Sequence, residues 1–378
     1  MKSVAVVICN YNKKNFVLNC IKSVFASNFT NFDLIVVDNA SNDGSVQEIN
    51  EQFADRLTLL VNDENLGGSG GFNRGMEYAM EKGYKYIHLL DNDVVIDKNA
   101  ISSLYEFMEK HIDAGVCGSL ILRMDKPDII QDYGANIDLE NFTPKANFKD
   151  KKADKNLIKY LECDYVAACS AMYRLETLQK TGAINKDFFL YWDDMSLSKE
   201  ILLAGYKVYA EKSSKVWHNH SIFNYTPFTT YYFLRNKIRY FTTYLNDSDF
   251  EKFVKSIILR MFRTLAVNRD KPEILLANFN ALDDALNDVR GKASNGKILP
   301  MKEYELPQSA VKIKHVLDEK NYDKTKIYID NYNNILKTEK DFDLVENIIK
   351  YNSFFEDIFG EFIKIKLVEL RKNIGVKK

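Results

Sequence analysis

Proline is scarce in this chain, 6 residues of 378, and glycine reaches only 16, so there is little material for long flexible linkers. Cysteine is also sparse. The five residues Cys9, Cys20, Cys117, Cys163 and Cys169 include no CxxC spacing, which removes the common zinc and dithiol motifs. An odd count scattered through apolar runs reads as reduced thiols of a cytoplasmic protein. Net charge is −1, so the global basic field of a nucleic-acid binder is missing. No apolar run approaches the roughly 18 residues of a membrane span. The N-terminal run, Val4 to Cys9, is too short for a signal peptide and no small-residue cleavage site follows it, so it reads as a first strand. GK[ST] is absent as well, which excludes a P-loop.

What is present is ordinary for a globular protein: 46% hydrophobic and 28% charged residues, with 22 Tyr and 24 Phe. The length allows two domains. Up to about residue 220, β-branched runs alternate with helical patterns, the signature of a largely parallel sheet flanked by helices. Strands are expected at Val4–Cys9, Leu34–Val37, Leu57–Val61, Tyr86–Leu90, Gly115–Leu122, Val166–Tyr173 and Lys215–Trp217. Helices are expected near Asn15–Ser27, Ser45–Phe53, Phe72–Lys82, Asn99–Lys110 and Asp194–Ala204. Glu140–Lys159, charged and poor in large apolar residues, reads as a mobile surface loop. Beyond about 225 the periodicity is helical: Phe228–Leu245, Phe250–Val267, Pro272–Val289, Ala310–Glu319 and Leu344–Lys372. The expected boundary lies near 225–245, dividing the chain into 1–225 and 226–378.

Chemistry gathers where strands end. LLDNDV places Asp91 and Asp93 after an apolar run. Two carboxylates there repel each other unless they share a hard divalent cation, which would also hold a diphosphate; Asn92 adds an amide. A solvated turn or a helix cap is the bland reading of the same residues. VVDNASNDGS ends another strand at Asp38, whose carboxylate suits a base N–H or a ribose hydroxyl, while Asp43 and Ser45 read as helix caps. NLGGSGGFNRG concentrates Gly67, Gly68, Gly70 and Gly71 before a helix, with Arg74 one turn in, a setting for close approach to an anion. Asn73 stands where a GxGxxG motif would need glycine. Two of the five histidines, His218 and His220, follow the strand ending at Trp217 and are competing candidates for a metal ligand.

Taken in order and spacing, VVICNYNK, VVDNASNDGS, NLGGSGGFNRG and LLDND resemble the nucleotide-sugar half of family 2 glycosyltransferases with the GT-A fold. GAINKDFFLYWDDMSLSKEILLAGYKV and KVWHNHS extend the likeness to about residue 221, and it is greatest towards bacterial galactofuranosyl- and rhamnosyltransferases. The resemblance implies an α/β fold of GT-A type, a Rossmann-like mixed sheet flanked by helices, with nucleotide-sugar binding over about 1–95 and the acceptor, base and metal-histidine region over about 96–225, followed by a mainly helical region. It implies Mn²⁺ or Mg²⁺ at Asp91, Asp93 and His218. The donor, a nucleoside diphosphate sugar (UDP- or dTDP-linked), would lie along Asn10, Tyr11, Asp38, Asn39, Asn65, Gly67, Gly70, Gly71, Arg74, Asp91 and Asn92.

FFLYWDDMS puts Asp193 and Asp194 at a helix start, where both would suit the helix dipole. One of them could equally be a general base for displacement at an anomeric carbon, its pKa raised beside apolar neighbours. By family position Asp194 is the base and Asp193 orients acceptor or donor, which implies one-step inverting transfer to a glycan or lipid-linked glycan acceptor. Tyr191 and Trp192 read as sugar platforms or as core. Ser196 stands where relatives often carry another acidic residue, which bears on acceptor recognition. YYFLRNKIRYF carries basic and aromatic residues at helical spacing, which suit a lipid–water interface, the edge of the donor cleft or, as the plainer reading, a helix packing its aromatics on the catalytic domain. FIKIKLVELRKNIGVKK is basic and amphipathic and suits peripheral contact with an anionic membrane or with a second subunit. A nucleotidyltransferase is the enzymatic rival, although NLGGSGGF has no cation before Arg74; a silent sugar-nucleotide-binding scaffold is the rival from another class.

Overall fold

The computed structural model describes residues 2–219, 226–267, 272–294 and 361–377. The chain divides into two compact units, one of Met1–Asp138 with Thr143–Ile222, the other of Leu139–Phe142 with Phe223–Lys378.

The first unit runs β1 (Val4–Asn10), α1 (Lys14–Phe25), β2 (Phe32–Asp38), α2 (Ser45–Phe53), β3 (Thr58–Val61), α3 (Gly67–Lys82), β4 (Tyr86–Asp91), β5 (Val94–Ile96) and α4 (Ala100–Lys110). It continues with β6 (Ala114–Arg123), β7 (Ile130–Asp132), β8 (Ala135–Asp138), β9 (Thr143–Ala146), β10 (Tyr160–Glu162), β11 (Ser170–Arg174), α5 (Leu175–Thr181), α6 (Asp193–Leu203) and β12 (Lys207–His218). The main sheet has the order β10-β12-β6-β11-β4-β1-β2-β3. β4, β1, β2 and β3 are parallel, β11 runs antiparallel between β4 and β6, and β12 returns parallel to β6. The sheet is therefore mixed.

Both faces are covered, which is why β1 can be apolar throughout. Its period of two sorts the side chains: Val4, Val6 and Ile8 enter one core, with Val17, Ile21 and Leu104, while Ala5 and Val7 enter the other, with Met76 and Ala79. α1 buries Val17, Leu18, Cys20, Ile21 and Val24 at helical spacing. α3 begins at Gly67, five residues before the expected start at Phe72, because its glycines are packing positions. A Cβ on Gly71 would lie 2.2 Å from Cys9 Sγ, and one on Gly75 2.4 Å from Val7 Cγ1. Two other expectations change. β12 spans twelve residues rather than three, and 140–159 is not a featureless loop but contributes β9, paired with β8. Of the expected strand Val166–Tyr173, only the part from Ser170 onward pairs.

The second unit contains α7 (Pro227–Tyr244), α8 (Asp247–Val267), α9 (Pro272–Leu286) and α10 (Glu361–Ile374). Its basic and aromatic side chains are largely internal. Tyr231, Tyr232 and Arg235 are buried, the Arg235 guanidinium lies over both rings and donates to Gly291 O at 2.8 Å, and Lys237 is buried too. Arg239 pairs with Asp288 at 2.7 Å. In α10, Ile363, Leu367 and Leu370 are buried and Arg371 donates to Leu245 O and Asp247. These basic and aromatic residues of α7, and Arg371 of α10, are thus engaged inside the unit. No helix among the described residues is long and apolar enough to cross a membrane. The expected helix Ala310–Glu319 and the first part of Leu344–Lys372 lie outside the described residues.

Gly71→Ala should lower stability by about 1–3 kcal/mol, because its methyl must displace Cys9 against the sheet. Gly68→Ala, whose Cβ would meet Leu190 Cδ1 at an ordinary 3.6 Å, should stay within about 0.5 kcal/mol. Urea unfolding of the two variants checks both expectations.

Candidate active site

The carboxyl ends of β4, β1, β2 and β3 are tied by side chains. Asn10, ending β1, donates from Nδ2 to Asp38 Oδ2 and accepts from Asn92 Nδ2, both at 2.8 Å. Asp38 Oδ1 accepts from Ser41 N at 2.8 Å. Asn39 donates to Gly67 O and accepts from Asn62, which in turn takes a bond from Arg74; that guanidinium also donates to Val61 O. Asn10, Asp38 and Asn39 are wholly or almost wholly buried. As placed, these three are internal ties rather than exposed donor ligands, and Arg74 holds the end of β3 instead of facing an anion. Tyr11, 43% exposed, is one of the accessible side chains at this edge. Asp43 accepts from Ser45 N, as expected of a helix start.

The glycine segment also differs from expectation. Gly67 N is taken by Asn65 Oδ1 at 2.8 Å and Ser69 N by Phe189 O at 3.1 Å, so two N–H groups of the α3 start already have partners. A Cβ on Gly70 would strike Leu66 at 2.5 Å. Gly67, Gly70 and Gly71 serve close packing of backbone first.

The acidic turn is positioned by a change of partner strand. β4 pairs with β1 and ends at Asp91; Asn92 and Asp93 then carry the chain to β5, which pairs antiparallel with β12, Val94 opposite His218. That register brings His218 Nε2 to 3.2 Å from Asp93 Oδ1 and 3.9 Å from Asp91 Oδ2. Lys13 Nζ lies 2.7 Å from Asp93 Oδ2. Cys169 enters because its carbonyl accepts from Asp91 N where β11 meets β4. Asp91, Cys169 and His218 have donor atoms within 4.8 Å of one another, a group able to surround one ion. Asp93 is outside that trio, engaged by Lys13 and His218. His220 lies outside the described residues.

Electrostatics divides the two carboxylates. Burial pushes Asp91 upward, with repulsion from Asp93 adding to it and His218 opposing. Burial would raise Asp93 too, but the His218 hydrogen bond and charge, together with Lys13, hold it below the usual carboxylate range. Burial would lower His218; its bond to Asp93 and the charges of both aspartates outweigh that and raise it. The side chain of Asp91 is 36% exposed, so a ligand reaches it although protein crowds it. A carboxylate and an imidazole suit Mn²⁺ or Mg²⁺ chemistry. Cys169 is the poorer donor: burial first, then Asp91 and Asp93, push its thiol well up, so it stays neutral.

The second acidic pair sits on a strained turn. Phe189, Tyr191 and Trp192 have φ of 65°, 65° and 69°, left-handed values that cost non-glycine residues about 1–3 kcal/mol each. The turn is held against the start of α3, where a Cβ on Gly67 would lie 2.1 Å from Phe189 O. α6 then opens with Asp193 and Asp194. Asp194 Oδ1 accepts from Met195 N at 2.8 Å and Oδ2 from Ala168 N at 3.4 Å. Burial and then the neighbouring Asp193 charge push Asp194 above the carboxylate range; Asp193, almost fully buried, is raised by burial. Asp132 in β7 adds a further repulsion on Asp194 and is itself pushed by burial to about 6. Trp192 is completely buried, which matches the core alternative for its ring. Tyr191 is half-buried.

Lys13, Gln131, Asp132 and Cys169 were missed by sequence reasoning. Lys13 could have been flagged beside Asn10 and Tyr11. The other three carry no local signal, since strand pairing alone brings them here.

Residues 5–182 match the family model described as glycosyl transferase family 2. Glycosyltransferase GlyG of Streptococcus pneumoniae serotype 4 is 28% identical over 127 residues, 33% of this chain and 41% of that protein. Galactofuranosyltransferase GlfT1 of Mycolicibacterium smegmatis is 24% identical over 204 residues, 53% of this chain and 66% of that one. The chain thus spans less than two thirds of the length of either relative. Among solved structures, GalNAc-T7 with UDP, GalNAc and Mn²⁺ aligns with TM-score 0.52 and 15% identity over 65% of this chain and 49% of that one. Staphylococcus aureus TarS 1–349 in complex with UDP-GlcNAc gives 0.51 and 16% over 76% and 82%. These likenesses are to the fold, a mixed sheet flanked by helices of GT-A type. By its motifs, its fold and this match over residues 5–182, the chain is similar to glycosyl transferase family 2.

Proposed function

We propose that this glycosyltransferase moves a sugar from a UDP- or dTDP-linked donor to a glycan or lipid-linked glycan acceptor in cell-surface polysaccharide synthesis, with inversion at the anomeric carbon. The observation that carries this reading is the pairing, within one unit, of an accessible carboxylate–imidazole pair, Asp91 and His218, with a carboxylate of raised proton affinity, Asp194. The charge of Asp193, next to Asp194 in sequence, is close enough to bear on Asp91. Relatives and structural neighbours whose names include galactofuranosyltransferase, UDP and UDP-GlcNAc support the donor class.

Asp91 and His218 would hold Mn²⁺ or Mg²⁺, with Asp93 alongside; when bound, the ion neutralises charge on the departing diphosphate. The remaining steps belong to side chains. Tyr11 offers an exposed ring to the nucleoside, and Asn92, fixed by Asn10, lines the approach. The ammonium of Lys13, 2.7 Å from Asp93, would offer its charge to the diphosphate. Asp194 takes the proton of the acceptor hydroxyl as its oxygen attacks the anomeric carbon and the bond to the diphosphate oxygen breaks. Met195 N and Ala168 N fix the carboxylate, and Asp193 raises its basicity. The region 226–378 is proposed as a helical domain appended to this unit.

Incubation with UDP- and dTDP-sugars, with Mn²⁺ or with EDTA, should release nucleoside diphosphate from one donor, and only with metal. A protein that neither binds nor hydrolyses any of them in the presence of metal is not the enzyme described here. Asp194→Asn should lower kcat roughly 10²–10⁴-fold with donor binding kept, read by turnover and by calorimetry. Because the base must be ionised, activity should fall as pH drops through the raised Asp194 pKa, above the ordinary carboxylate range. Asp193→Asn removes one cause of that shift, so the acidic limb of its pH–rate profile should move to lower pH; an unmoved limb would take Asp194 out of the base role.

A further inference from the structure

His218 has two ring nitrogens with opposite tasks. Nε2 faces Asp93 and Asp91, at 3.2 and 3.9 Å. Nδ1 points away from them, into the sheet, and lies 2.7 Å from Nε2 of the Gln131 amide. Gln131 belongs to β7, at the irregularity where β7 pairs with Ile121 and Leu122 of β6, and its side chain reaches across to β12 from there. The other end of its amide, Oε1, is fully buried and has no hydrogen-bond partner. An amide this buried, with one end idle, is built for more than filling space.

A neutral imidazole carries one proton, and the two nitrogens cannot both present lone pairs. Against Asp93 and Asp91 alone, Nε2 holds the proton and Nδ1 accepts from the amide N–H of Gln131. Against a cation, Nε2 must present its lone pair, so the proton moves to Nδ1 and needs an acceptor inside the sheet. Gln131 supplies one by turning its amide over, an exchange of nearly isosteric ends that places Oε1 at Nδ1. A leucine or methionine could serve neither state. A glutamate would serve only the second.

We propose that Gln131 is a positioning residue for His218, accepting Nδ1–H through Oε1 and so freeing the Nε2 lone pair for a divalent cation at Asp91. The inference rests on the reading of Asp91 and His218 as metal ligands. It concerns how the chain prepares that imidazole, and it gives a role to a strand that the sequence did not single out.

The test is Mn²⁺ alone, titrated into the full chain and followed by the electron paramagnetic resonance of the free ion. It would use wild type, Gln131→Met, Gln131→Glu and His218→Ala, with circular dichroism to check folding. Gln131→Met should bind Mn²⁺ about 10-fold more weakly or worse, and Gln131→Glu at least as tightly as wild type. In parallel, ¹⁵N shifts of the His218 imidazole in the Mg²⁺-loaded wild type should show the proton on Nδ1; this readout stands even if Gln131→Met fails to fold. Wild-type affinity in a folded Gln131→Met, with binding lost in His218→Ala, would overturn the role of Gln131 and leave the metal site intact. So would a proton on Nε2 with Mg²⁺ bound. Failure of the wild type to bind Mn²⁺, or undiminished binding in His218→Ala, would overturn the metal reading and this proposal with it.

Discussion

Like charge brought to one place is the constraint on which the rest of this unit turns. Asp91, Asp93, Asp132, Asp193 and Asp194 influence one another across the strand ends, offset by Lys13 and His218. Carboxylates crowded this way repel and lose hydration, an arrangement that a fold keeps only if it is useful or compensated. Here the compensation is uneven. Asp93 receives the Lys13 ammonium and the bond from His218 and is held ionised, while Asp91 and Asp194 are pushed towards protonation. Groups of one chemical type are thereby driven apart in behaviour, which is how one site can both hold charge and accept a proton.

The backbone achieves this by switching strand partners. β4 leaves the parallel sheet at Asp91, and β5 joins β12 two residues later, so that His218, over 120 residues away in sequence, arrives at the same turn. The second acidic pair is delivered by a run of left-handed residues locked against Gly67. Strain there is tolerable because the α3 start over-determines it through Ser69 N and the close approach at Gly67. The glycine-rich segment thus links the two halves of the site mechanically, by its lack of side chains.

Much of the architecture was legible. β1, β2, β4 and β6 are largely apolar runs buried on both faces, and their length leaves few alternatives. α2 begins and ends where its pattern says. Errors came where a local rule met a tertiary override. Four glycines in five residues looked like a loop, yet they open α3, since close packing on β1 outweighs their poor helix propensity. Polar EKSSK hid most of β12. The arginine and tyrosines of α7 satisfy one another inside the helical unit, a pairing that their spacing alone does not show.

The sequence by itself determined which residue types stand at the strand ends, because a strand's burial and its termination are written in a few adjacent residues. It therefore yielded Asp91, Asp93, Asp193, Asp194 and His218 as candidates. Tertiary structure alone decided which of them meet and what surrounds them. Cys169, Asp132 and Gln131 reach the site through pairing with β4 and β6, and Asp38 turns inward because Asn10 and Ser41 claim both its oxygens. The physical reason is range. Propensity and periodicity act over a few residues, whereas hydrogen bonds between strands and the fields of buried charges act between residues that only the fold brings together.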